Sequence, residues 1–131
     1  MRHELEKELQ SKYLFMTIDN EPVYCQCGDG WYSVIDKLCK KITETLSMQE
    51  LADLRIDQIK EKYGTLRFYY SGVNFNKIEH FILEAEEESA RVCDECGEEG
   101  KIREDKSYIQ TLCDEHAEFE EQTAKRVSAD R

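Results

Sequence analysis

The apolar positions of the chain follow a helical spacing in most stretches and a strand spacing in one. Residues 3–16 carry an apolar side chain at nearly every third or fourth position, which predicts an amphipathic helix. A second helix is predicted where four apolar residues share one face: Trp31, Ile35, Leu38 and Ile42. Ser47 and Glu50 have the spacing of a capping box, so a short helix should begin at Met48.

A strand over residues 65–71 is predicted from an alternating pattern after Gly64. The side chains of Leu66, Phe68 and Tyr70 should point to the core. Those of Arg67 and Tyr69 should point to the opposite face. Residues 54–62 fit an antiparallel partner strand, although their isoleucines also fit a helix. We therefore expect a β-hairpin with its turn at Gly64.

A further helix is predicted from Asn76, which can cap it, towards Cys93. Its inward face consists of Ile78, Phe81, Ile82, Ala85, Ser89 and Val92. Its outer face carries several glutamates, which would repel one another unless they are solvated. A last helix is predicted from Asp114, and its apolar residues are Ala117, Phe119 and Ala124.

Four potential metal ligands lie in two tight pairs in the last third of the chain. Cys93 and Cys96 form a C-x2-C pair, and Cys113 and His116 form a C-x2-H pair after 16 intervening residues. Two such pairs supply the four soft ligands that tetrahedral Zn²⁺ prefers. Because protein side chains fill all four positions, we predict one structural zinc ion, since catalytic zinc keeps a position open.

Two short strands are predicted between the ligand pairs, at Lys101–Glu104 and Tyr108–Leu112, so residues 93–116 should form a zinc-ribbon-like knuckle. The predicted fold class is therefore α+β, with a small antiparallel hairpin or sheet, amphipathic helices packed on it and a C-terminal knuckle. With 131 residues the chain fits a single domain, residues 1–131, in which a metal ion would supplement a modest core.

Three further cysteines fall within 15 residues, and these are Cys25, Cys27 and Cys39. Asp29 is predicted to cap the helix that follows, because its carboxylate can accept the first free backbone N–H groups. Packing near this helix is the simplest role for the three thiols. Two alternatives stay open: a second metal site completed by His3 or His80, and a nucleophilic Cys27 activated at the helix start.

The net charge of −11 is unevenly distributed along the chain. Residues 73–121 hold 16 acidic and 5 basic residues, whereas residues 31–72 hold 6 acidic and 7 basic ones. An acidic knuckle would repel phosphates, so we expect no direct DNA binding by it. A basic protein surface is a more natural partner, although each single acidic residue can also serve solubility alone.

The expected location is the cytoplasm. The first residues are charged and lack the apolar run of a signal peptide. No stretch approaches the ~20 apolar residues of a membrane span, so no membrane association is expected. The cysteines should then be reduced or metal-bound rather than paired in disulfides.

Three motifs occur together between residues 25 and 116. They are Cys-Gly-Asp-Gly-Trp at 27–31, KEKYGTLRFY at 60–69, and the ligand pairs of the knuckle. In this combination the chain resembles a family of short uncharacterised proteins of bacteriophages, prophages and some bacterial genomes. The resemblance implies a gene context and no activity: small phage proteins often bind and alter host factors, including defence systems, in the host cytoplasm.

The function predicted first is that of a zinc-stabilised binding protein, such as an inhibitor or anti-defence factor, that docks on a host protein through an acidic surface. The alternative is a protein that binds or sequesters a nucleotide or another anionic small ligand. Its ligand-binding residues would be Lys60, Lys62, Arg67, Tyr69 and Trp31. A small hydrolase is the third alternative, but no catalytic motif is present and His80 has no partner spaced near it, so we predict no catalytic residues.

Overall fold

The computed structural model of the chain describes residues 1–105 and 108–118. These residues form the predicted α+β fold, in which helices pack on small, mostly antiparallel sheets. The helices are α1 (His3–Lys12), α2 (Tyr32–Thr45), α3 (Met48–Asp53) and α4 (Phe75–Ser89), and residues 114–118 are also helical. The strands are β1 (Thr17–Ile18), β2 (Glu21–Pro22), β3 (Cys25–Gln26), β4 (Arg55–Lys62), β5 (Thr65–Ser71), β6 (Lys101–Arg103) and β7 (Gln110–Leu112).

Helix α1 lies where the sequence predicts an N-terminal helix, but it ends at Lys12. The chain continues as a 3-10 turn, Leu14–Met16, so the predicted range 3–16 is helical in two pieces. Leu9 is fully buried on the inner face of α1. Glu6 is also buried, and its carboxylate accepts a hydrogen bond from the backbone N–H of Cys25 (2.7 Å), which satisfies the buried charge in part.

The predicted apolar face of α2 is buried, and its residues Trp31, Ile35, Leu38 and Ile42 are at most 1 % exposed. Cys39 is fully buried beside them, as predicted. The predicted cap is wrong. The Asp29 carboxylate accepts a hydrogen bond from the backbone N–H of Arg2 (2.7 Å) and pairs with the Arg2 guanidinium (2.7 Å). This partner lies 27 residues away in sequence, so local spacing does not reveal it.

Helix α3 is capped by the predicted residues, whereas the cap of α4 lies two residues before the predicted one. The Ser47 hydroxyl accepts the N–H of Glu50 (3.1 Å) while the Glu50 carboxylate accepts the N–H of Ser47 (2.9 Å), which completes the capping box. Asn74, not Asn76, caps α4 with its side-chain oxygen. Helix α4 therefore begins at Phe75 and runs to Ser89, and its buried residues are Ile78, Ile82, Ala85 and Ser89.

Strands β4 and β5 form the predicted antiparallel hairpin, so residues 55–62 are a strand and not a helix. Tyr63 (φ 53°) and Gly64 (φ 87°) make its two-residue turn, in the left-handed conformations that a tight hairpin requires. The core-facing side chains of Ile59, Leu66 and Phe68 are at most 4 % exposed. On the opposite face Lys62 and Tyr69 are exposed, whereas Lys60 and Arg67 are half-buried.

Two small elements were not predicted. The connector after α1 contains a two-stranded hairpin of β1 and β2. Strand β3 adds to the main sheet in parallel to β4, pairing Cys25 with Ile59 and Gln26 with Lys60, which gives the order β3-β4-β5. Strands of two residues carry too little alternation to be recognised in a sequence.

Buried apolar residues form a large cluster from the helices and the main sheet, and a second, small cluster under the paired cysteines. The small cluster contains Cys93, Leu112, Cys113 and Ala117. Among the described residues, no helix combines the length and the apolar character that crossing a membrane requires.

Candidate metal centre

The four predicted ligands come together at one point. Cys93, Cys96, Cys113 and His116 each offer a ligand atom, and these atoms all lie within 4.8 Å of one another. The sulfurs of Cys96 and Cys113 are 3.8 Å apart, and Nδ1 of His116 lies 3.8 Å from the Cys93 sulfur and 3.2 Å from the Cys113 sulfur. Elsewhere in residues 1–105 and 108–118, no other His, Cys, Asp and Glu side chains make such a group.

These separations fit a tetrahedral metal ion. With Zn–S bonds of about 2.3 Å and a Zn–N bond of about 2.0 Å, the edges of a zinc tetrahedron are about 3.5–3.8 Å long. Of the three separations given, two equal the upper end of this range (3.8 Å) and one is slightly shorter (3.2 Å), and three thiols with one imidazole are a donor set typical of structural zinc. The cluster can therefore hold a metal ion such as zinc.

A backbone hydrogen bond favours the thiolate form of one predicted ligand. The backbone N–H of His116 donates to the Cys113 sulfur (3.5 Å), and this hydrogen bond lowers the pKa of the Cys113 thiol to about 7. The same sulfur raises the pKa of the His116 imidazole, because a nearby thiolate favours its charged form. A thiolate, the form that binds metals, is thus available at Cys113 near neutral pH.

Local structure brings the two pairs together. Gly97 adopts φ 82° after the first pair, and its N–H donates to the Cys93 carbonyl (2.9 Å), which closes a tight turn around the thiols. Strands β6 and β7 then pair in antiparallel fashion and return the chain to Cys113. The predicted turn between these strands includes residues 106–107, and Phe119 and Ala124 of the predicted last helix also lie outside the described residues. We call residues 93–118 the ribbon.

The ribbon sits directly on the Cys-Gly-Asp-Gly-Trp loop. The N–H of Gly28 donates to Oδ1 of Asp94 (2.7 Å), and the N–H of Gly30 donates to the Asp94 carbonyl (2.9 Å). A Cβ atom at Gly30 would lie 1.9 Å from the Cys93 carbonyl oxygen, and one at Gly28 would lie 2.1 Å from the Asp94 carbonyl oxygen. Only glycine allows this backbone approach, so the two glycines of the motif seat the first metal-ligand pair.

Trp31 also fixes the position of the first ligand pair. Its side chain is fully buried, and its indole N–H donates to the carbonyl of Val92 (2.8 Å), the residue that precedes the first ligand. The predicted role of Trp31 in stacking on a ligand is therefore wrong, because neither ring face is open. This hydrogen bond joins residues that are 61 positions apart in the sequence, so no local sequence pattern predicts it.

The turn of the β4–β5 hairpin holds the other side of the ribbon. The buried Thr111 hydroxyl donates to the Gly64 carbonyl, and the backbone N–H of Asp94 donates to the Thr111 carbonyl (2.9 Å). The Tyr108 hydroxyl reaches the Glu61 carboxylate at 3.3 Å. The motif at 60–69 therefore contacts the ribbon through its turn, and all three sequence motifs meet around the metal ligands.

The remaining predicted ligand-binding residues lie on the face of the hairpin opposite to its core-facing side chains. Lys60 stands opposite Arg67 across the strands, and its ammonium lies 5.9 Å from the centre of the Tyr69 ring. Tyr69 is 42 % exposed and Lys62 is exposed. Arg67 is more constrained, since its guanidinium lies 3.9 Å from the Glu86 carboxylate of α4. The structure thus groups four of the five predicted residues on one surface.

The other cysteines and histidines do not form a second metal site in the part of the chain that the structure describes. Burial raises the pKa of the Cys25 thiol to about 12 and also raises the pKa of Cys27, which argues against an activated nucleophile at this helix start. His3 stacks on Tyr24, and His80 lies against Phe81. Neither histidine approaches the cysteines as a fourth ligand.

Comparisons of the chain with models of protein families, with curated proteins and with solved structures found no match.

Proposed function

We propose that this protein is a zinc-stabilised binding protein whose ribbon presents an acidic surface to a basic partner. The observation that carries the proposal is a set of exposed ribbon carboxylates that make no ion pair among the described residues. They are Glu95, Glu98, Glu99, Glu104, Asp105, Glu115 and Glu118. Uncompensated charge of one sign on a rigid element steers an oppositely charged partner and favours its docking.

The acidic face of α4 differs from the ribbon in this respect. Glu84 pairs with Lys41 (3.1 Å), Glu88 with Lys37 (3.4 Å) and Glu86 with Arg67. Much of its charge is therefore neutralised within the protein. The ribbon has one such pair, between Asp114 and Arg103 (2.9 Å), so the field around the metal site remains strongly negative in the described residues.

Zinc contributes rigidity to this surface rather than chemistry. One Zn²⁺ held by Cys93, Cys96, Cys113 and His116 would fix the geometry of a segment whose own apolar cluster is very small. Reduced thiols are needed for this role, which suits the cytoplasm. A preorganised surface loses less entropy when it binds a partner than a flexible acidic tail does.

The resemblance to short phage and prophage proteins extends the proposal to the kind of partner. A host protein with a basic surface, such as a factor that itself binds nucleic acid, would bind an acidic ribbon with the same surface that binds the phosphate backbone. On this view the protein is a phage-type modulator, an inhibitor or anti-defence factor, that occupies such a surface.

Charge reversal on the ribbon tests the proposal. Crosslinking of the purified protein in a bacterial lysate should attach the ribbon to a basic protein, and added salt should weaken the complex. The variant Glu95→Lys/Glu98→Lys/Glu99→Lys should lose this partner. The matched control Glu4→Lys/Glu44→Lys/Glu87→Lys has the same net charge and should keep it. Equal loss in both variants, or retention in both, would refute docking through the ribbon.

A second candidate function is the binding of an anionic small ligand. The observation in its favour is that Lys60, Lys62, Arg67 and Tyr69 form a basic and partly exposed face of the hairpin in a protein of net charge −11. Native mass spectrometry of the protein purified from bacteria distinguishes the two. A bound nucleotide that Lys60→Glu/Lys62→Glu removes would favour the ligand-binding function, whereas a bound basic protein would favour docking.

A further inference from the structure

The main sheet has an incompletely covered edge. Strand β4 is paired along its length with β5, but β3 pairs with β4 only at Ile59 and Lys60. From Arg55 to Gln58 the outer edge of β4 has no strand beside it in the part of the chain that the structure describes. An open edge presents backbone N–H and C=O groups to any extended segment that reaches it.

A groove lies along this edge. It has a volume of about 450 Å³ and is bounded by β4 on one side and by the segment from β1 to β3 on the other. Tyr24 lies in the groove with half of its surface exposed. The open part of β4 is about 13 Å long, given a rise of about 3.3 Å per residue, and accommodates about four residues of an added strand.

The charged residues that line the groove indicate which kind of peptide segment it would bind. Its lining contains the carboxylates of Asp19, Glu21 and Asp57 and a single base, Arg55. Arg55 is already engaged by Asp19 at 3.7 Å, so Glu21 and Asp57 remain uncompensated. Lysine or arginine in the added segment would meet these carboxylates, and its alkyl chain or ammonium could lie on the exposed Tyr24 ring.

We propose that the open edge of β4 binds an extended basic peptide segment, which joins the main sheet as an additional strand in the groove beside Tyr24. The Asp57 carboxylate at this edge opposes pairing with an acidic strand and favours pairing with a basic one. The register of β4 and β5 shifts at Asp57, which marks a bulge within the open stretch. Backbone hydrogen bonds would supply affinity and the carboxylates selectivity.

This surface shares no residue with the ribbon, so it can exist whether or not the proposed function is correct. The probe for it is a fluorescein-labelled ten-residue peptide in which lysine alternates with valine. Fluorescence anisotropy should show saturable binding, and amide NMR signals of residues 55–58 should shift. The same peptide with glutamate in place of lysine should bind at least about tenfold more weakly. A peptide N-methylated at every lysine and valine should also bind weakly, since neither of its edges can then donate strand hydrogen bonds.

Variants separate the edge from the general acidity of the protein. Glu21→Lys/Asp57→Lys should weaken binding of the lysine peptide about tenfold, whereas Glu44→Lys/Glu87→Lys changes net charge equally, lies outside both the groove and the ribbon, and should leave it unchanged. The Asp57 carboxylate has only a long contact with Ser71 (3.5 Å), and Glu21→Lys alone serves if the double variant does not fold. Absence of binding, equal binding of the N-methylated peptide, or equal weakening by Glu44→Lys/Glu87→Lys would overturn the proposal.

Discussion

At the scale of single residues, two glycines and one aspartate join the ribbon to the rest of the chain. Gly28 and Gly30 let the backbone of the loop approach the first ligand pair, and Asp94 receives both of their N–H groups. Asp94 is buried, and desolvation raises the pKa of its carboxyl group above the usual value. These contacts predict how substitutions at each position affect both stability and metal binding.

Gly30→Ala should destabilise the protein by about 3 kcal/mol or more, because the added methyl group would overlap the Cys93 carbonyl oxygen and the Gly97 nitrogen. Zinc affinity should fall with it, since the overlap displaces the backbone of a ligand residue. Gly64→Ala is the comparison: there the methyl group meets no atom closer than 3.4 Å, and the positive φ alone costs about 1–2 kcal/mol. Thermal unfolding and competition with a zinc chelator measure both effects. Equal losses for the two variants would contradict this ranking.

Asp94→Asn should preserve or increase stability at neutral pH, whereas Asp94→Ala should lower it by about 1–3 kcal/mol. An asparagine oxygen can still accept the N–H of Gly28 without a buried charge, but alanine leaves that donor unpaired. Because the folded-state pKa of Asp94 is raised, its ionised form is disfavoured on folding above that pKa. The advantage of asparagine should therefore shrink as the pH falls towards the raised pKa. Urea unfolding across this range checks the sign, and an advantage that grows on acidification would contradict it.

At the scale of elements, the sequence predicts the features that depend on a few neighbouring residues. It does not predict the features that depend on contacts between distant parts of the chain. Alternation after Gly64 predicts β5, and the two ligand pairs predict the ribbon, because strand period and ligand spacing are local properties. The predicted roles of Asp29 as a helix cap and of Trp31 as a ligand-stacking residue are wrong because their partners, Arg2 and Val92, are 27 and 61 residues away. The parallel pairing of β3 with β4 is missed for the same reason.

Arg67 tests whether the basic hairpin face is a ligand surface or part of the scaffold. Arg67→Glu would place a second carboxylate beside Glu86, whose pKa desolvation already raises and which Arg67 stabilises in its charged form. We expect a loss of about 1–2 kcal/mol, modest because both side chains are partly solvated. Lys62→Glu on the same face should change stability by less than about 0.5 kcal/mol. The exchange Arg67→Glu/Glu86→Arg should recover the lost stability, and no recovery would mean that the pair is unimportant.

At the scale of the whole molecule, three motifs that are far apart in sequence converge on the ribbon and its candidate metal site. The loop at 27–31 seats the first ligand pair, the hairpin turn at Gly64 holds Thr111, and Trp31 binds the residue before Cys93. The sequence predicts the motifs but not their convergence, since their spacing contains no information on which surfaces meet. The convergence explains why the ribbon, with its very small apolar cluster, is fixed to the larger core.

Loss of the metal should therefore loosen a defined part of the protein. In Cys96→Ser, hydrogen exchange should accelerate across residues 93–117 and in the loop at 28–31, while β4 and the inner face of α2 keep their protection. Structural zinc supplies on the order of 10 kcal/mol in finger peptides, which the small cluster of the ribbon cannot replace. Cys27→Ser is the matched control, since Cys27 is not a ligand. Uniform acceleration over the whole chain, or none in the ribbon, would contradict the assignment.

X-ray absorption at the zinc edge of the purified protein tests whether zinc closes the ribbon through three thiolates and one imidazole. We predict one zinc ion per chain with about three sulfurs at about 2.3 Å and one nitrogen at about 2.0 Å, and no bound water. The Cys96→Ser variant should lose the metal or replace one sulfur with oxygen. A protein free of zinc, or a shell dominated by oxygen and nitrogen, would contradict this coordination.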